Sequence, residues 1–169
     1  MLTETIQLET LRQKIEDAEF EAGDKTDYLS YGKPGPVQAK QTKELIEKLK
    51  SQSKELRAEF TQLIATTRSQ QPQAFGEWVK YHIDILQKII DEKSTDKNAP
   101  ARRNVAKETI QQWEKVHAGE QEYVNINWHF LKDYKAEVRT ITRGPEPAPH
   151  TNQTVGDTKK SKSWWPFAK

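Results

Sequence analysis

The sequence predicts an all-α protein, an antiparallel bundle of four or five long amphipathic helices with a disordered C-terminal arm. Three observations carry this expectation. Apolar residues recur at intervals of three and four over most of residues 1–143. Hydrophobic residues make up only 34% of the chain and charged residues 31%, which suits helices that bury one stripe and expose the rest. From Gly144 onward that periodicity stops, and Pro145, Pro147 and Pro149 stand among polar residues. The expected organisation is a helical bundle domain over 1–143, a flexible Pro/Thr-rich linker over 144–158 and a basic-aromatic docking tail over 159–169.

The first helix should start near Thr3, with Glu4 favoured by the helix dipole in the first turn. Its stripe is Leu8, Leu11, Ile15, Ala18 and Ala22, and Gly23 reads as its stop. The stretch from Asp24 to Val37 reads as an irregular connection because it carries Gly32, Pro34, Gly35 and Pro36. The second helix follows a 3–4 alternation through Ala39, Thr42, Ile46, Leu49, Ser53, Leu56, Phe60, Leu63 and Thr67. That seam calls for a partner helix, but its Ala, Thr and Ser positions suit a bundle better than a dedicated coiled coil. Residues 1–30 carry eight acids and three bases, and residues 38–70 carry seven bases and four acids. The two segments should therefore attract when packed antiparallel, each surface pair contributing about 0–1 kcal/mol.

Pro72 opens a third helix with the stripe Phe75, Val79, His82, Leu86 and Ile89, widened by Trp78, Ile83 and Ile90. It is the most apolar helix and should sit centrally. After the polar loop Ser94 to Ala99, Pro100 fits the first turn of a fourth helix carrying Val105, Ile110, Trp113 and Val116. Ala101 and Ala106 should permit close approach there. Residues 121–142 are two-sided. Val124, Ile126, Trp128 and Phe130 alternate with polar residues as a strand does, whereas Leu131 to Ile141 has helical spacing. A lone two-stranded ribbon is marginal in water, so helix is the favoured reading.

Several classes are disfavoured by what the chain lacks. With no cysteine there are no disulfides, thiol nucleophiles or thiolate metal sites. The N-terminus lacks the basic-then-apolar pattern of a signal peptide, and no run approaches the roughly 18–20 apolar residues that span a bilayer. The body is expected to be soluble and cytoplasmic. A net charge of +2 is too small to indicate nucleic acid.

The most informative segment is the last. Lys159, Lys160, Lys162, Trp164, Trp165, Pro166 and Phe167 gather basic and aromatic side chains, closed by Lys169, with no acid. Exposed aromatic surface is costly in water and marks a binding surface. A protein groove could take the aromatics as anchors. A membrane interface could take the indoles at headgroup level, with each lysine near anionic lipid adding about 1 kcal/mol. Self-packing on the bundle is the plain structural alternative.

Single-stranded nucleic acid is a further reading, because bases stack on indoles at about 1–3 kcal/mol each. Lys40, Lys43, Lys50, Lys54, Arg57, Arg102 and Arg103 could assist, although acids interleave with them as on an ordinary solvated face. The remaining candidates are weaker. Glu114 and His117 make one Glu-x-x-His pair, where a di-iron bundle needs two and further carboxylates. His82 has an acid nearby in Asp84, but two residues along a helix is a different face, so a hydrogen-bonded core histidine is the simpler reading. His129 and Asp133, four apart, read as a surface pair. Tyr28, Leu29 and Tyr31 could form a secondary contact, and a homodimer could use the 38–68 helix.

The sequence thus points to a non-catalytic scaffold or adaptor with no cofactor and no metal. Its tail is expected to dock to a protein groove; peripheral membrane attachment and single-stranded nucleic-acid binding are the alternatives.

Overall fold

The protein was analysed as a computed structural model in which residues 3–143 are described, with side chains from Thr5 to Thr142. Five helices follow in chain order: α1 (Thr3–Tyr31), α2 (Pro36–Gln70), α3 (Pro72–Asp91), α4 (Ala99–Ala118) and α5 (Lys132–Arg143). No strand occurs among the described residues. The expected 144–158 linker and 159–169 tail lie outside them.

The bundle is two antiparallel helix pairs joined edge to edge. α1 packs chiefly on α2, α3 packs chiefly on α4, and α5 bridges α1 and α3. The predicted stripe of α1 is buried along its whole length: Leu8, Leu11, Ile15, Ala18 and Ala22. It meets the α2 seam, where Ile46, Leu49, Ser53, Phe60 and Thr67 are buried, so α1 is the seam's partner helix. The charge asymmetry of the two segments yields one bidentate link: the Arg57 guanidinium donates to both Glu19 oxygens at 2.6 and 2.9 Å. Ser53 donates to the same carboxylate at 2.8 Å.

Gly23 does not stop α1. The helix runs two further turns to Tyr31, and the connection shrinks to Gly32–Gly35. A glycine inside a helix costs about 1 kcal/mol relative to alanine, too little to end a helix already committed to a hairpin partner. The turn itself needs its glycine, because a Cβ on Gly32 would lie 2.7 Å from the Tyr28 ring. Pro36 and Pro72 then occupy opening positions of their helices, where the missing N–H is no loss. At 29 and 35 residues, α1 and α2 extend about 43 and 52 Å, against about 30 Å for α3 and α4. No residue of 23–45 is buried, so the α1–α2 tip overhangs the bundle.

α3 is central, with Phe75, Trp78, Val79, His82, Ile85 and Leu86 buried. Ala106 of α4 is fully buried, as close approach requires, but Ala101 faces solvent. α4 closes in a Schellman arrangement: Gly119 at φ 82° donates to Val116 O, and Glu120 N donates to Lys115 O.

Residues 121–142 divide their two patterns between them. The second half is α5, as the helical spacing requires. The first half is not helical: residues 123–127 form no regular element and 128–130 form a turn, with Val124 buried, Ile126, Trp128 and Phe130 half-buried, and Asn125, Asn127 and His129 exposed. The single-helix reading of 121–142 is therefore corrected. An irregular segment can lie here because a side chain pairs with its backbone. The Gln112 amide accepts from Asn125 N at 2.8 Å and donates to Asn125 O at 3.2 Å.

Candidate functional site

The densest chemistry among the described residues lies inside the bundle. Glu9, Arg12, Gln13 and Glu16 follow one another on a single face of α1 by spacings of three, one and three. α3 adds Trp78 and His82, α4 adds Trp113, and α5 adds Tyr134. All eight are buried, and Glu9, His82 and Tyr134 are fully enclosed.

The Glu9 carboxylate is the hub. It accepts from Arg12 at 2.6 Å, from Gln13 at 2.9 Å and from the Trp78 indole at 3.3 Å. Arg12 also pairs with Glu16. His82 Nε2 stands 2.9 Å from Glu9 Oε2, off the line of a good hydrogen bond, so that contact is mainly electrostatic. His82 Nδ1 lies 2.7 Å from the Tyr134 hydroxyl, which accepts from the Trp113 indole at 3.1 Å. The Glu9 carboxylate can only accept, so it favours the tautomer with the ring proton on Nε2. In that tautomer Nδ1 accepts from the Tyr134 hydroxyl. Trp113 stacks on the imidazole with centroids 4.0 Å apart.

Burial dominates the protonation states, and partners correct it. Burial would raise the Glu9 carboxyl, but Arg12, with His82 beside it, outweighs that and holds it far below the ordinary carboxylate range. Burial would lower the Arg12 guanidinium, yet Glu9 and Glu16 lift it well above its usual value. Burial raises Glu16 to about 7 against the opposing charge of Arg12. Burial pushes His82 down despite Glu9, so its ring is neutral at pH 7.

A histidine beside a carboxylate has the parts of a general-base relay. Here the second ring nitrogen is occupied by Tyr134, one ring face is covered by Trp113, and both Glu9 and His82 have no exposed surface. The arrangement joins four helices and reads as a structural core network. The sequence identified His82 as a hydrogen-bonded core histidine, and that placement holds; Asp84 points elsewhere and pairs with Lys80 at 2.6 Å. Glu9, Arg12, Gln13 and Glu16 were missed. Their signal was a stripe of alternating charge running beside the apolar one, a pattern ordinarily read as solvated.

The other sequence candidates are scattered. Tyr28 and Tyr31 are exposed at the overhanging tip, Tyr31 by 82%, beside Val37 at 70%, with Leu29 half-buried. Glu114 and His117 both lie on the exposed face of α4, as His129 and Asp133 lie on the surface further on. Among the described residues no group of three or more potential ligands is arranged to hold a metal ion. Lys40, Lys50 and Arg102 stand near Glu44, Glu47 and Asp96. Arg57 is held by Glu19, and Arg103 donates to the Glu92 carbonyl. No described helix is long and apolar enough to cross a membrane. No protein-family model, curated protein or solved structure matches the chain.

Proposed function

We propose that this protein is a non-catalytic adaptor whose helical body binds or spaces partners and whose terminal segment, residues 159–169, docks to a groove on a partner protein. The observation that carries this is the segment itself: Trp164, Trp165 and Phe167 with four lysines and no acid, following a proline-rich stretch. Aromatic anchors of this kind dominate the energetics of protein interfaces. Support comes from the body, where the aromatics at helical spacing (Phe60, Phe75, Trp78 and Trp113) are already committed to the core. The exposed Tyr28 and Tyr31 at the hairpin tip offer a second contact, and the expected setting is the cytoplasm.

The test is capture from host extract by the full chain and by its Trp164→Ala, Trp165→Ala double variant. The reading expects a partner retained at fixed stoichiometry by the first and lost by the second, with equal far-UV circular dichroism. Retention by both sinks the docking role. Loss of binding to anionic vesicles instead would make the segment an interfacial anchor. Salt-sensitive loss of single-stranded nucleic acid would assign it there.

A further inference from the structure

We infer that the groove between α3 and α5 is a binding site for a basic, aromatic peptide, and that its resident occupant is the chain's own segment 159–169. This rests on reading that segment as a docking element, but it adds a receptor for it on the same molecule.

The groove encloses about 250 Å³. That is below the roughly 300–1,000 Å³ of small-molecule clefts, so it is sized for a side chain rather than a whole ligand. Its floor is apolar: Ile85 is buried, Ile89 half-buried, and the enclosed Tyr134 ring lies beneath. Its rim is acidic. Glu92, Asp133 and Glu137 supply three carboxylates, against Lys88 alone, whose Nζ sits 3.4 Å from Glu137. The Glu92 and Asp133 carboxylates make no ion pair among the described residues.

Two other grooves on the described surface lack this excess. The one between α1 and α2 sets Glu19, already held by Arg57, against Lys50, and the one beside Tyr123 balances Arg57 with Glu122. An apolar floor inside an acidic rim calls for an aromatic side chain flanked by cations. Trp164 and Trp165, between Lys162 and Lys169, are such a ligand.

Reach supports the same occupant. From Asp133 to the end of α5 is ten residues, about 15 Å along the helix. Residues 144–158 number fifteen, and a coil of that length would reach about 20 Å. Tethering at that length gives an effective concentration on the order of millimolar. A weak groove therefore fills from within, and an outside partner has to displace the tail. If the latch is closed half to nine-tenths of the time, opening it tightens partner binding about two- to tenfold.

The absence of cysteine makes the test direct in the full chain. Ala168→Cys carries a nitroxide at one defined site, and paramagnetic broadening is read at isoleucine methyls. The latch predicts severalfold stronger broadening at Ile85 and Ile89 than at Ile46 on the hairpin arm. That contrast should vanish on adding Trp164→Ala with Trp165→Ala, or Glu92→Gln with Asp133→Asn, and shrink in high salt. Even broadening, strongest broadening at Ile46, or a contrast indifferent to the tryptophans overturns the proposal. Partner capture that depends on Trp164 and Trp165 without this contrast would leave the adaptor standing and remove the latch alone.

Discussion

Glu9 and Arg12 are tolerated in the core because their charges meet: Arg12 pairs with Glu9 and Glu16, and Gln13 and Trp78 donate to Glu9. Each buried ion costs several kcal/mol in lost hydration, and a matched apolar replacement is often as stable. What the network supplies is register: α1, α3, α4 and α5 can share it in only one alignment. Tyr134→Phe tests this, since it strips the shared partner from His82 Nδ1 and Trp113 Nε1. It should cost about 1–3 kcal/mol, seen as a lower urea midpoint at unchanged slope; no change would mean the hydroxyl is idle.

Glu16 gives a pH signature. Its folded carboxyl titrates at about 7 against an ordinary 4.5. Between those values the folded chain holds a proton that the unfolded chain has released, so this group's contribution falls as pH rises from about 4.5 to 7. Glu16→Gln removes that slope. The stability gap between variant and wild type should move in the variant's favour from pH 5 to pH 7, by about 2 kcal/mol. A constant gap in urea titrations at the two values would contradict the assignment.

Among the elements, those governed by apolar spacing were legible in the sequence, and those governed by partners were not. The stripes of α1, α2 and α3 were readable because each faces a neighbouring helix over its buried length. The end of α1 was not, since Gly23 meets nothing within 4 Å of a notional Cβ and the hairpin carries the helix past it. The burial pattern around Val124 was readable as an alternation, but its backbone pairing with the Gln112 amide was not. In the candidate site His82 was legible from its place on an apolar stripe, whereas Glu9 and Arg12 were not, because only the fold brings Trp78, His82 and Tyr134 to them. Two expectations belong to this scale. Gly119→Ala puts an L-residue at φ 82°, should cost about 1–2 kcal/mol, and is checked by thermal melting; an unchanged melt would deny the Schellman closure. Amide exchange should be far faster across residues 24–45, which bury nothing, than across the buried turns of α3.

At the scale of the whole molecule, a closed helical body carries an overhanging hairpin tip with exposed tyrosines, and the adaptor proposal adds the basic-aromatic sequence of residues 159–169. The body's aromatic residues are largely consumed in packing, so the adaptor account places external recognition at those two ends. The α3–α5 groove adds a way to restrain one of them. The measurement that tests the central claim most directly is partner capture by the chain ending at Thr158, with its melting temperature as control. The account predicts that capture is lost while melting shifts by no more than about 3 °C, the effect of roughly 1 kcal/mol in a chain of this size. Capture retained in full, or a body that unfolds without its last eleven residues, would contradict it.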